Sequence, residues 1–294
     1  MSELVKTTQT PKSSATPTAL AKSYIRKTRN GKIRTTSLCK SGIVIKLTLL
    51  TLIGITLYTF IALDYGSINL AQAVTRTIEN IGIMFGQAEL SHLTLQSGLW
   101  ALLLTFSLGV LATIFGAFIA FFLALLCARN LVNPKIGNVV RGFVAVIRAV
   151  PSILWVLIFT IAVGLGGTAA VAGLTLHSAA FLVKAYSESF EEMDSGTIEA
   201  LRASGASFWQ IVFQAVVPAS LGYMTAWTFL RFEVNFVNAI AMGAAAGAGG
   251  IGFDLFMAGN FYFDLRELGA ITFMIMAAVI ILEFIATRIK QKVK

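Results

Sequence analysis

The chain has 294 residues, of which 56% are hydrophobic and 13% charged, and its mean hydropathy is +0.80. Such a composition excludes a soluble domain of this size and places the chain among proteins that cross a membrane several times. The net charge of +9 is concentrated at the start, where residues 1–46 hold ten Lys or Arg against Glu3 alone, with Tyr24 the one aromatic before the first apolar run; that is a tail suited to anionic headgroups, not a nucleic-acid binder.

Residues 1–40, rich in Ser, Thr, Lys and Pro, cannot bury enough surface to fold alone and are expected to form a flexible basic cytoplasmic tail. The apolar run that follows is too long, and too far from the start, for a cleaved signal peptide, so it is expected to be a retained first transmembrane helix at 43–63, with Lys46 snorkelling to the headgroups. Residues 64–97 form an expected outside loop, in which Leu70, Val74, Ile78 and Ile81 are spaced like an interfacial helix, a plain loop remaining open. A membrane core then occupies 98–288. Its second span, Gly98–Ala128, carries a face of small residues, Gly109, Ala112, Gly116, Ala120 and Ala124, that admits a close neighbour. Arg129, Lys135, Arg141 and Arg148 follow without an acid and mark an inside loop.

The third span is expected from Phe143 or Pro151 to Val163 and the fourth from Thr168 to Tyr186. A fifth runs from Pro218 to Met242. The tract Ala241–Gly252 and a loop with Asp254 and Asp264 lead to a sixth at Leu268–Thr287, with a basic cytoplasmic tail at 289–294. The fold class is thus an all-α integral membrane protein with six transmembrane helices and both termini inside.

Residues 194–218 are a polar island in this apolar core. Asp194 or Ser195 can cap a first turn, Gly205 stands where a helix stops on a left-handed residue, Ser207 with Gln210 forms a capping-box pair, and Pro218 is expected to end the second helix. The elbow offers Glu199 and a set of small residues to another protein; the same signals also suit an ordinary hairpin loop. Between Glu188 and Pro218 there are five acids against Arg202 alone, the composition of a surface facing a basic partner or simply water.

The chain has no nucleotide-binding loop, since Gly31-Lys32 is followed by Ile33 and the glycines of 247–252 have no lysine after them; nor does it have a zinc-protease motif or a nucleophile elbow. Cys39 and Cys127 lack any metal or redox spacing, so no metal site is expected. Intramembrane polar residues are the remaining candidates, because a central charge costs roughly 2.5–3.5 kcal/mol on insertion scales unless it faces protein or water. Arg231 and Glu233 point about 200° apart on a helix and cannot pair with each other. Arg231 shares its face with Asn235 and Asn238, and that face either lines a path for an anion or pins span five to its neighbours. His177, one face with Lys184, is a further path candidate, and Glu283 is expected to be structural.

Glu199-Ala200, with Gly205 six residues after the Glu and Pro218 thirteen after the Gly, resembles the EAA loop of permease subunits of binding-protein-dependent ABC importers. Leu201 stands where that family has alanine, and the loop ends Ala215-Val216-Val217-Pro218. Three further stretches, 148–159, 177–207 and 231–252, resemble the phosphonate-type permeases. The resemblance implies a type I importer permease (MetI-like) fold, a second permease copy as in a homodimer, an outside substrate-binding protein that delivers phosphonate or a related phosphorus oxyanion, and an ABC ATPase dimer docked through Glu199, Ala200, Leu201, Gly205 and Pro218. It also implies that this chain binds no cofactor, ATP and Mg being held by the ATPase, and that it lies in a bacterial cytoplasmic membrane. Phosphate, phosphite or a small organic cation remain alternative substrates, and a proton-coupled carrier or a membrane scaffold the alternatives of another class.

Overall fold

A computed structural model describes residues 40–63 and 69–293; the expected tail at 1–39 and the start of the outside loop lie outside the described residues. The described part is helical, with no strand among it. The chain divides into two units, residues 1–70 and 71–294. The first contains α1 (Lys40–Ala62), whose window from Gly42 to Ala62 has a mean hydropathy of 2.0 and exposes its apolar side chains all round, as a helix bathed in lipid tails requires.

The second unit comprises all but the first residue of α2 (Leu70–Gly86), then α3 (Leu95–Cys127), α4 (Pro134–Ala149), α5 (Ser152–Val163), α6 (Gly167–Glu191), α7 (Ser195–Ala203), α8 (Phe208–Ala246), α9 (Ile251–Asn260) and α10 (Leu265–Val293). Among the described residues four helices are long and apolar enough to cross a membrane, or up to six spans if the bent pairs α4–α5 and α8–α9 each count as one.

The long α3 is the axis of this unit. It starts at a capping box between Thr94 and Ser97 and runs 33 residues, about 50 Å at 1.5 Å per residue. Its small face is buried along its whole length: Gly109, Ala112, Gly116, Ala120 and Ala124. A Cβ on Gly116 would come within 2.7 Å of the Ser178 Cβ on α6, and one on Gly109 within 3.2 Å of the Phe236 backbone on α8. Lipid tails supply no hydrophobic drive between helices, so this backbone-to-backbone approach, with its dispersion contacts, is what holds α3, α6 and α8 together.

The structure departs from the sequence-based expectations at three places. The third span is no single rod: α4 and α5 meet at 89°, because Pro151 pushes Val150 into an extended conformation (φ −86°, ψ 125°) and cannot donate to a helix. Pro218 does not end a helix. Val212–Val216 form a π turn in which the Val217 amide reaches back to the Val212 carbonyl, and this wider turn accommodates proline inside a helix that continues to Ala246. The glycine tract is a loop only at 247–250, where Gly247, Gly249 and Gly250 have positive φ; Ile251–Asn260, with Asp254, is helical. Helix α10 itself continues to Val293.

Candidate functional site

The elbow between α6 and α8 is assembled from local capping. Asp194 occupies the N-cap position of α7 (φ −56°, ψ 123°) without a side-chain cap bond. At the other end the Gly205 amide donates to the Arg202 carbonyl and the Ala206 amide to the Leu201 carbonyl, each at 3.0 Å, with Gly205 at φ 86°. This pair of reversed bonds is a Schellman stop, whose left-handed residue is favourable for glycine and costly for most residues with a Cβ. The next helix begins at once: the Ser207 amide donates to Gln210 Oε1 at 2.7 Å while the Gln210 amide donates to Ser207 Oγ at 3.4 Å. Glu199 and Ala200 stand exposed on α7, Leu201 is half-buried and Pro218 is exposed. Glu199 has no ion pair among the described residues.

The elbow is bolted to the bundle. Ile198 is buried in the same apolar cluster as Leu125, Val144, Val183, Phe190 and Val212. Arg202 Nη2 donates to the carbonyls of Asn130 and Leu131 at 3.2 Å each, in the turn between α3 and α4. Asn130 Nδ2 donates to the Phe190 carbonyl at 2.7 Å, the Arg129 amide to Glu191 Oε1 at 2.8 Å, and Arg141 forms an ion pair with the same carboxylate. Sequence reasoning missed Arg202, Asn130 and Glu191 as the parts of a joint. The one available signal was that Arg202 is the lone cation of an acidic segment.

A second polar group lies inside the bundle. Arg231 and Asn235 of α8 are 4% and 0% exposed. Arg231 Nε donates to Ser178 Oγ at 3.0 Å, and Asn235 Nδ2 reaches Ser178 Oγ at 2.8 Å and Thr113 Oγ1 at 2.9 Å, so one cluster joins α3, α6 and α8. The Arg231 guanidinium lies 5.4 Å from the Phe181 ring centroid, a face that attracts a desolvated cation. It has no ion pair among the described residues, and its Nη2, like Nδ1 of the half-buried His177, is buried without a hydrogen-bond partner. Glu233 and Asn238 stand elsewhere, bordering a cavity of about 290 Å³ between α8 and α10 with Val279 and Glu283. The structure thus brings Arg231 and Asn235 together and puts Glu233 and Asn238 at a different surface. Thr113 and Ser178 went unremarked in the sequence.

At the opposite end from the elbow, Glu267 closes the loop before α3 onto α10. Its carboxylate accepts from the amides of His92 and Leu93 at 2.8 and 2.7 Å and lies 2.8 Å from His92 Nδ1, while His92 stacks on Tyr262. The nearby Asp264 carboxyl, in the turn before α10, is held below its ordinary range by the Glu267 amide first, then by the Ser91 hydroxyl. With the Glu267 oxygens engaged by N–H donors, the group is a clip between segments.

The whole arrangement can be set beside known proteins. Residues 116–294 match the family described as "binding-protein-dependent transport system inner membrane component". The chain is 33% identical over 190 residues to the phosphate-import permease protein PhnE of Mycolicibacterium smegmatis, covering 64% of this chain and 35% of that protein. It is 32% identical over 180 residues to the phosphite transport system permease protein PtxC of Stutzerimonas stutzeri, covering 61% of this chain and 65% of that one. In both cases the match takes in less than two thirds of the relative's length. Among solved structures, an inward-facing MetNI methionine ABC transporter is similar with a TM-score of 0.58 at 26% identity, covering 68% of this chain and 96% of that chain. The family match spans well over half the sequence and includes the elbow and the polar cluster's Ser178, Arg231 and Asn235. The chain therefore belongs to the inner membrane components of binding-protein-dependent transport systems.

Proposed function

We propose that this chain is the membrane-spanning permease subunit of an ATP-driven importer for a phosphorus oxyanion, phosphonate, phosphite or phosphate. The observation that carries the reading is the rigid, outward-standing elbow, two capped helices joined at Gly205 and bonded through Arg202 and Ile198 to three membrane helices. The substrate class is supported by the phosphate and phosphite named for the relatives above. In this reading the elbow, and with it both termini, is cytosolic. Glu199, Ala200, Leu201, Gly205 and Pro218 form the seat for a separate ATPase dimer that holds ATP and Mg, an extracytoplasmic binding protein delivers the anion, and a second copy of the permease completes the pathway. Closure of the ATPase dimer moves the elbow as a lever; because Arg202 grips the α3–α4 turn, the motion passes to α3 and α6 together.

Reconstitution tests this. Liposomes containing the permease with its ATPase are expected to take up radiolabelled phosphate or phosphite only with ATP and binding protein present; uptake by the permease alone under a proton gradient would overturn the reading. For the path we assign Arg231, Asn235 and His177 to the element that gates it and Glu233 and Asn238 to its rim. Arg231→Ala removes the buried charge and the Nε donor to Ser178 Oγ and is expected to lower uptake at least roughly tenfold, against at most about twofold for Glu283→Ala. Equal losses from the two variants, at equal amounts of protein in the membrane, would remove the reason to single out Arg231.

A further inference from the structure

A pocket of about 380 Å³ opens between α4 and α6 at the end of the bundle that carries the elbow. Arg129, Arg141, Arg148 and Lys184 line it against two carboxylates, Glu188 and Glu191. Its origin is a helical register: Arg141 and Arg148 lie seven residues apart on one face of α4, whose buried Val144 and Ile147 press that face toward α6. Lys184 comes from the facing helix and Arg129 from the turn before α4.

The two carboxylates are already engaged. Glu191 accepts from the Arg141 guanidinium and the Arg129 amide, and Glu188 stands 3.6 Å from Lys184. The guanidinium groups of Arg129 and Arg148 have no ion pair among the described residues. The pocket therefore presents two uncompensated positive charges, both on the side chain whose planar fork fits a tetrahedral oxyanion in bidentate fashion. Its walls are Val144 and Val183, where such contacts are less screened than in open water.

We propose that this pocket binds a tetrahedral phosphorus oxyanion, supplied either as free phosphate or phosphonate or as the headgroup of an anionic phospholipid. Its occupant sits against the lock between Glu191 and the α3–α4 turn, and that turn supplies the two carbonyls gripped by Arg202 of α7. Occupancy therefore stiffens the support beneath the elbow. This regulatory consequence rests on the importer reading; the binding itself does not.

The test uses the full chain without partners. In phosphatidylcholine nanodiscs, equilibrium dialysis with radiolabelled inorganic phosphate is expected to show saturable binding that the Arg129→Gln/Arg148→Gln double variant weakens at least roughly tenfold, since both charged forks are lost. If the source is lipid, phosphate instead binds weakly to both proteins. Phosphatidylglycerol from mixed nanodiscs is then retained by the wild type and lost from the double variant in native mass spectrometry. Neither replaced side chain has an ion pair among the described residues, so the thermal midpoint in detergent should hold and show that the variant is folded. No difference between wild type and variant with either probe overturns the proposal and leaves the importer reading untouched, while failure of ATP-driven uptake has no bearing on the binding.

Discussion

Gly173→Val is expected to remove most of the folded protein from the membrane fraction and to lower its thermal midpoint in detergent, whereas Gly142→Val changes neither. By helix propensity alone valine is no worse than glycine in either helix, so the difference must come from what surrounds each position. A Cβ at Gly173 of α6 would lie 2.5 Å from the amide nitrogen of Val156 and 2.6 Å from its Cα, on α5, while one at Gly142 of α4 meets nothing within 4 Å. The obstruction at Gly173 is backbone, which cannot rotate aside as a side chain can. Overpacking of this kind costs about 1–3 kcal/mol and more where nothing can shift. The consequence is specific to this fold, because α5 has only 12 residues, about 18 Å of helix at 1.5 Å per residue, too short to cross a bilayer by itself. It holds its place by lying against α6, and displacing it exposes the break at Pro151. Equal midpoints for the two variants would show that α5 is not held by this contact.

The pattern of what sequence reasoning reached follows the range of the forces involved. The stop at Gly205 and the Ser207–Gln210 box were legible because capping is settled within three or four residues. The small face of α3 was legible for the same reason: a periodic row of Gly and Ala has one physical use in a membrane helix. Pro218 was misread because the rule for proline assumes an α ladder before it, and the π turn at Val212–Val216 widens that ladder without leaving a mark in the composition. The helix Ile251–Asn260 was hidden by the glycines ahead of it. Its first amide is satisfied at a distance, by Thr105 Oγ1 on α3 at 3.1 Å, a tertiary partner that no local window contains.

The polar core divides in the same way. Arg231 was conspicuous because a charge in a membrane span is costly wherever it stands. Thr113 and Ser178 were not, because hydroxyls on such helices commonly bond their own backbone, as Thr113 does to the Gly109 carbonyl at 2.7 Å. Only the crossing of α3, α6 and α8 converts them into partners for Arg231 and Asn235. The grip of Arg202 on the Asn130 and Leu131 carbonyls was invisible for a deeper reason: backbone acceptors have no residue signature.

Gly205→Val is expected to lower ATP-driven uptake at least roughly tenfold while the protein stays in the membrane at its usual level, because a left-handed conformation costs a residue with a Cβ about 1–2 kcal/mol and a β-branched one more. Nothing within 4 Å would meet the added Cβ, so the whole effect resides in the φ of 86°. Relieving that strain means giving up the two reversed bonds to Arg202 and Leu201, and α7 then leaves α8 at a new angle. The apolar core is not touched, since Gly205 is exposed while Ile198 and Val212 remain buried. A lever transmits force only if its angle is held, so loss of uptake without loss of protein is the signature of a broken joint. Gly205→Asn supplies the control: asparagine visits the left-handed region more readily than other residues with a Cβ and should keep uptake within about threefold of wild type. Wild-type uptake by the valine variant would mean that the angle at Gly205 carries no force, and the proposal of a rigid elbow driven by a separate ATPase would fall with it.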